Sequence, residues 1–96
     1  MTIDRFRKKP IVVDTILWDG TLDRLADIVN WVGHAPTPCG APPVLYNEQA
    51  GLRIWNAEEN QYIDVPQNHR VVKGARGEYY PISPEAVAET YEAVEG

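Results

Sequence analysis

The sequence predicts a small α+β domain, in which a curved, mainly antiparallel sheet packs against one main amphipathic helix and a short second helix accompanies them. Three observations predict it: a helical apolar stripe in residues 21–32, alternating side chains in residues 51–55 and 61–65, and the turn-rich stretch 63–80. A chain of 96 residues has room for one hydrophobic core, so residues 1–96 are interpreted as a single domain.

The chain begins with a basic arm over residues 1–9. Its cations are Arg5, Arg7, Lys8 and Lys9. Charge runs usually face water, so the arm is either a solvated lead-in to a strand or a segment that contacts an anion. Residues 11–18 follow, rich in β-branched side chains and apolar on both faces except at Asp14. Such a segment is typical of a strand inside a sheet.

Residues 21–32 form the clearest helix in the sequence. Its apolar stripe consists of Leu22, Leu25, Ile28, Val29 and Val32. Thr21 is a favoured N-cap, and Gly33 supplies the C-terminal stop. Trp31 lies at the border of the stripe, where a core position is the simplest interpretation.

Residues 34–43 contain four prolines and one glycine, which predicts an irregular surface loop. His34 and Cys39 lie in this loop, but they match no zinc spacing and have no second pair of ligands. We therefore expect no metal and no cofactor.

Residues 44–46 predict a short strand, and residues 51–55 and 61–65 predict a hairpin. One face of the hairpin is apolar, whereas the other presents Trp55 and Tyr62 and is a candidate contact surface. Ser83 and Pro84 then open a short helix that ends at about Glu89.

Residues 90–94 predict a last strand, and we expect it to pair with residues 11–18 and close the sheet. The predicted core consists of Ile11, Val13, Ile16, Leu22, Leu25, Ile28, Val29, Val32, Ile54, Ile63, Val65 and Val72.

The stretch 63–80 reads as three strands joined by two turns. Pro66 and Asn68 suit the first turn, because proline presets φ and asparagine tolerates a positive φ. The second turn carries the candidate binding residues Lys73, Gly74, Arg76 and Gly77. Further candidate residues for the same site are His69, Arg70 and Tyr80.

Two interpretations of the second turn stay open. Its backbone N–H groups and two cations could hold a phosphate, with a tyrosine covering the base of a nucleotide. The alternative is an ordinary hairpin turn with solvated Lys73 and Arg76. The sequence contains no recognisable catalytic constellation, so we expect no enzymatic activity.

Composition narrows the function classes further. The formal net charge of −5 argues against a general nucleic-acid binder, whose footprint is usually basic. The single cysteine fits a reducing compartment. No apolar run approaches the roughly 20 residues of a membrane span, and no apolar signal-peptide core follows Met1. We therefore expect a cytoplasmic protein without a membrane partner.

Two blocks of sequence carry a resemblance to a known family. The first runs over residues 5–13, RFRKKPIVV, and leads to Trp18-Asp19-Gly20; the second runs over residues 71–81, VVKGARGEYYP, and leads to residues 90–94, TYEAV. In these blocks the chain resembles small proteins of uncharacterised function encoded by tailed bacteriophages and prophages, notably those of actinobacteria.

The resemblance implies phage origin and a small α+β fold, but no established activity. Relatives commonly carry a Cys-Lys pair where this chain has Ile82-Ser83, so no essential thiol or amine chemistry is expected there. Relatives are expected to differ most in residues 33–60.

These observations lead to two functional hypotheses. The first is a non-catalytic accessory protein that binds a host protein during infection, for which self-association into a homo-oligomer is also plausible. The alternative is a binder of a nucleotide signal that uses the basic turn 73–77.

Overall fold

The computed structural model describes residues 3, 4 and 12–90 of the chain. In chain order the elements are β1 (Asp14–Leu17), α1 (Leu22–Val32), β2 (Val44–Asn47), β3 (Gly51–Asn56), β4 (Gln61–Val65), β5 (Arg70–Lys73), β6 (Tyr79–Ile82) and α2 (Pro84–Thr90). The strands form two three-stranded antiparallel sheets, with the orders β1-β5-β6 and β2-β3-β4. The predicted α+β class is confirmed, with the strands divided between two sheets.

One core lies between α1 and the inner faces of both sheets. Its buried members are Trp18, Ile28, Val32, Leu52, Ile54, Val65, Val71 and Tyr79. β5 is the central strand of its sheet, and the consecutive residues Val71 and Val72 are both completely buried. Because successive side chains of a strand point to opposite faces, β5 is covered on both sides.

A buried asparagine joins the two sheets. Asn56, at the end of β3, donates through Nδ2 to the carbonyl of Tyr79 in β6 at 2.8 Å. Its Oδ1 accepts from the backbone N–H of Glu59 at 2.8 Å, which closes the β3–β4 turn. Burial of an amide is tolerated here because both ends of the side chain are paired.

Helix α1 begins and ends as its sequence predicts. Thr21 is extended, and its hydroxyl accepts from the N–H of Arg24 at 3.2 Å. Gly33 has φ +61°, and its N–H donates to the carbonyl of Val29 at 2.9 Å. Positive φ is the reason that glycine suits this end of the helix.

A bulge links the end of β1 to the start of β5. The N–H of Asn68 donates to the carbonyl of Trp18 at 2.7 Å, and the N–H of Trp18 donates to the carbonyl of His69 at 2.9 Å. Asn68 and His69 thus both lie opposite Trp18. Asn68 has φ +72°, as the first residue of a glycine-preferring bulge does. The N–H of His69 closes the turn on the carbonyl of Pro66, which confirms the turn predicted at residues 66–68.

Two of the predicted core positions are wrong. Leu22 is 71% exposed and Val29 is 45% exposed. The sheets cover only the side of α1 that carries Ile28 and Val32, and the predicted stripe is wider than that contact. The core instead includes Trp18 and other residues that the prediction omitted. These further residues are Leu52, Val71 and Tyr79.

Several predicted segments are only partly described. The basic arm, apart from residues 3 and 4, lies outside the described residues, as do Ile11 and residues 91–94 of the predicted strand 90–94. The first residue of that predicted strand, Thr90, belongs to helix α2 instead. β1 covers Asp14–Leu17 of the predicted strand 11–18, and the short helix covers Pro84–Thr90. The Pro-rich loop 34–43 is irregular apart from one 3-10 turn at Pro38–Gly40.

Candidate functional site

The basic turn is a tight hairpin loop between β5 and β6. The N–H of Gly74 donates to the carbonyl of Glu78 at 2.7 Å, and the N–H of Gly77 donates to the carbonyl of Gly74 at 3.0 Å. Gly77 has φ +84°. Together they make a three-residue loop, 75–77, with a glycine bulge, a common way to close a hairpin.

A carboxylate of the protein itself occupies this turn. Glu78 Oε2 accepts from the backbone N–H of Arg76 at 3.0 Å. A Cβ atom on Gly74 would clash with Glu78 Oε1, so the carboxylate lies directly against the backbone of Gly74. The guanidinium of Arg76 pairs with Glu58 at 3.4 Å on the neighbouring β3–β4 turn. The backbone N–H and the guanidinium of Arg76 therefore already bind carboxylates, and the N–H groups of Gly74 and Gly77 already bind carbonyls.

The other candidate residues of the basic site are spread along β5 and β6. Arg70 and Lys73 lie at opposite ends of β5, roughly 10 Å apart at the rise of an extended strand. The guanidinium of Arg70 donates to the hydroxyl of Thr15 at 3.2 Å. Tyr80 pairs with Val72, which places it on the opposite face from Lys73. This arrangement does not bring Arg70, Lys73 and Tyr80 together in one pocket.

His69 precedes β5 and is half-buried. Its Nδ1 atom is buried and has no hydrogen-bond partner within the described part of the chain. Its backbone is held in the bulge opposite Trp18, at the end of β5 away from the basic turn. His69 is therefore separated from Gly74 and Gly77 by the length of the strand.

Trp55 and Tyr62 are brought together as the hairpin pattern predicted. They are cross-strand partners, with ring centroids 5.2 Å apart and ring planes at 73°. The Tyr62 hydroxyl donates to the carbonyl of Pro42 at 2.6 Å, and the N–H of Trp55 donates to the carbonyl of Pro43 at 2.9 Å. Both residues are half-buried, and their polar groups fix the Pro-rich loop to the sheet.

Four aromatic side chains outside the buried core are only partly accessible to solvent. Each is half-buried: Trp31, Trp55, Tyr62 and Tyr80. Trp31, for example, lies edge-on to Tyr79 with ring centroids 5.6 Å apart. The exposed apolar surface of α1 consists instead of aliphatic side chains.

Helix α1 carries an exposed stripe formed by Leu22, Ala26 and Val29, which we call the α1 stripe. Its members lie four and three residues apart, so they share one side of the helix. Ile28 and Val32 point from the neighbouring side into the core. The helix is thus apolar on a side that the rest of the described chain leaves open to solvent.

The α1 stripe continues into a groove against the Pro-rich loop, which we call the α1 groove. Its volume is about 300 Å³. Its lining consists of Val29, Gly33, His34, Gly40, Ala41, Pro42, Pro43 and Val44. Since the loop is held by Trp55 and Tyr62, the outer wall of the groove is fixed to the second sheet.

Carboxylates flank the α1 stripe on the side away from the core. Asp23 and Asp27 are both exposed, and helical periodicity places them beside Leu22 and Ala26. The cation of this helix, Arg24, donates to the carbonyl of Leu17 at 3.3 Å and lies with its Nε 3.9 Å from the Asp27 carboxylate, but it does not reach Asp23. The open edge of the stripe is therefore acidic.

The helix N-terminus beside Leu22 has its polar groups paired. The carboxylate of Asp19 accepts from the hydroxyl of Thr21 at 2.7 Å and from its N–H at 3.0 Å. The hydroxyl hydrogen bond, followed by the backbone one, lowers the pKa of Asp19 below the ordinary value of 3.8.

A second depression of about 300 Å³ lies between the end of β1 and the β2–β3 turn. Its exposed ring, Tyr46, rests edge-on against Trp18, with centroids 5.8 Å apart. Gln67 forms part of the wall and donates to the carbonyl of Asp19 at 3.1 Å. The lining also includes apolar residues such as Leu52, but Glu48 and Asp64 interrupt them, so the depression has no continuous apolar surface like the α1 stripe.

The sequence contained one signal for the α1 stripe that its interpretation missed. Leu22 and Val29 lie at one edge of the apolar arc, and Ala26 and Gly33 extend that edge further. The arc of this helix then spans roughly 160° at 100° per residue, whereas a helix packed on one side needs about 100°. An apolar arc that is wider than one packing contact indicates that a second surface covers the remaining apolar side of the helix.

Within residues 3–4 and 12–90, no three His, Cys, Asp or Glu side chains could hold a metal ion together. In the same part of the chain, no helix is long and apolar enough to cross a membrane. No protein-family model, curated protein or solved structure matches the chain.

Proposed function

We propose that this chain is a phage-encoded accessory protein that acts without catalysis by binding a host protein in the host cytoplasm. The observation that carries the proposal is the α1 stripe: Leu22, 71% exposed, and Val29, 45% exposed, continue into the α1 groove. Continuous exposed apolar surface next to a groove is a feature of protein-binding sites.

Energetics support a contact at this position. Full burial of an aliphatic side chain is worth about 1.5–3 kcal/mol, so a partner that covers Leu22 and Val29 gains from both. The helix presents these side chains on a rigid element, which limits the entropy lost on binding.

The resemblance to phage proteins supports the proposal in a second way. Its block at residues 71–81 forms the β5–β6 hairpin, where Gly77 has the positive φ that the turn needs. The wall of the α1 groove belongs to residues 33–60, where relatives are expected to differ most. A shared fold with a variable groove wall fits a set of proteins that bind different partners.

The test is a paired capture experiment from an actinobacterial host lysate. The wild-type chain and the variant Leu22→Asp/Val29→Asp are immobilised, and retained proteins are compared by mass spectrometry. We expect a host protein that the wild type retains and the variant loses. The charge-matched control is Ile3→Asp/Val12→Asp, because these two apolar residues are also exposed and do not belong to α1.

The control should retain the same host protein as the wild type. Equal retention by the Leu22→Asp/Val29→Asp variant would mean that the α1 stripe is not the binding surface. Circular dichroism of each variant checks that the fold is intact.

A further inference from the structure

We propose that the α1 groove takes a short apolar segment of a partner protein that carries lysine or arginine. The inference rests on the proposed function and names the chemistry of the partner at that surface. Its basis is the combination of the α1 groove with the α1 stripe, whose open edge carries the carboxylates of Asp23 and Asp27.

The groove sets the size of what enters it. A volume of about 300 Å³ is at the lower limit of small-molecule pockets, which suits one or two side chains better than a whole ligand. Val29 forms one wall, and Pro42 and Pro43 belong to the loop opposite. Aliphatic or aromatic side chains of a peptide match this lining.

The acidic edge sets the charge of the partner. Asp23 has no ion pair in the described part of the chain, and the Asp27 carboxylate is 65% exposed with Arg24 at 3.9 Å. A segment lying along the α1 stripe passes next to both carboxylates. Complementary charge at such a rim guides association and selects among partners.

A second copy of this chain fits the same surface poorly. Antiparallel pairing of two α1 helices about Ala26 would place Leu22 opposite Val29 of the other copy. The same pairing brings the Asp23 and Asp27 flank of one copy against the identical flank of the other. Like charges would then meet along the rim, between chains that each carry a net charge of −5.

The test is a selection from a random 12-residue peptide library against the immobilised full chain. We expect enriched peptides to combine apolar residues with a net positive charge. Leu22→Asp/Val29→Asp should weaken their binding by at least about a hundredfold. Asp23→Asn/Asp27→Asn should weaken it by about two- to thirtyfold at low salt.

The matched control for the charge change is Glu85→Gln/Glu89→Gln, which removes two exposed carboxylates from α2. This variant should bind the enriched peptides as the wild type does. Equal weakening by both carboxylate variants would mean nonspecific attraction and would overturn the inference.

Other outcomes separate the inference from the proposed function. Neutral or acidic peptides that still depend on Leu22 and Val29 would overturn the inference and leave the proposed function standing. Peptides that bind elsewhere, or no enrichment, would also overturn it, and the lysate capture then decides the proposed function separately. A dimer in light scattering that Leu22→Asp/Val29→Asp abolishes would assign the groove to a second copy.

Discussion

The basic turn and the α1 stripe differ in how much of their capacity for interaction is already used. In the turn, Glu78 takes the N–H of Arg76, and Glu58 takes its guanidinium. On the stripe, Leu22 and Val29 have large apolar surfaces exposed to water. The residue types of the basic turn suggested it as the binding site. In the structure, however, the binding groups of Arg76 are already paired, whereas the side chains of the α1 stripe have no partner among the described residues, so the stripe is the better candidate.

The comparison teaches that a cluster of binding-type residues is not by itself a binding site. Charges and N–H groups that satisfy each other within the fold must first be released before they can hold a ligand. Exposed aliphatic surface carries no such cost, because covering it is favourable from the start.

The largest expected effect tests whether the α1 stripe lies outside the core. Ile28→Ala should destabilise the fold by about 2–5 kcal/mol, because Ile28 is completely buried. Val29→Ala, one residue further along, should change stability by no more than about 0.5 kcal/mol. Chemical denaturation of the two variants measures both values.

A loss above about 2 kcal/mol for Val29→Ala would place this residue in the core after all. Leu22→Ala provides a second check at the other end of the stripe, with the same small effect expected.

The next prediction tests whether Glu78 occupies the basic turn. Gly74→Ala should destabilise the fold by about 1 kcal/mol, because the new Cβ displaces the carboxylate and its hydrogen bond. In a Glu78→Ala background the obstruction is gone, and Gly74 lacks the positive φ that would penalise alanine. In the Glu78→Ala background, Gly74→Ala should therefore stabilise the fold by about 0.4–1 kcal/mol.

The sign change is measured with a double-mutant cycle by chemical denaturation. The matched control is Gly77→Ala, which should destabilise in both backgrounds because its φ of +84° disfavours any side chain. An equal effect of Gly74→Ala in both backgrounds would show that Glu78 does not occupy the turn.

The elements of this fold were predictable because each has a local cause in the sequence. Thr21 and Gly33 delimit α1, and Asn68 and Gly77 supply the positive φ that their turns need. The connection between the two sheets includes Asn56, whose amide reaches β6 from 23 residues away. A contact of that sequence separation leaves no local pattern, and asparagine is not a residue type expected in a core.

The candidate site was predicted less well for a related reason. Periodicity identified the apolar stripe of α1, but only the packed sheets determine which part of it stays exposed. The composition of the basic turn was equally clear, but the carboxylate of Glu78 was not considered as its internal partner.

A smaller effect concerns the helix end beside Leu22. Thr21 and Asp19 are paired with each other at this helix end, so neither is free to attract a partner. The pKa of Asp19 should lie below 3.8 in the folded chain, because the Thr21 hydroxyl and N–H stabilise the carboxylate. A folded pKa below the unfolded one gives stability that is present above the unfolded pKa and lost as pH falls through the folded pKa.

A carbon-detected NMR titration of the Asp19 carboxyl between pH 2 and pH 6, as rough limits around ordinary carboxyl pKa values, measures this shift. Thr21→Ala removes the hydroxyl and should bring the pKa of Asp19 back toward 3.8. A wild-type pKa of Asp19 at the ordinary value of 3.8 would mean that the hydrogen bonds between Asp19 and Thr21 do not persist in solution.

The smallest expected effect is that of nucleotides on the basic turn. A nucleotide at about 100 times its dissociation constant would stabilise the fold by roughly 2.7 kcal/mol, a shift easily measured for a domain of this size. We expect no shift in melting temperature with mono-, di- or cyclic nucleotides, since a phosphate must displace Glu78 and approach a chain of net charge −5.

The variant Glu78→Gln removes the competing charge. It should not create nucleotide binding either, because Tyr80 lies on the opposite face of the sheet from Lys73. A shift in the wild type that Lys73→Ala/Arg76→Ala abolishes would reverse the comparison and make the basic turn the functional site.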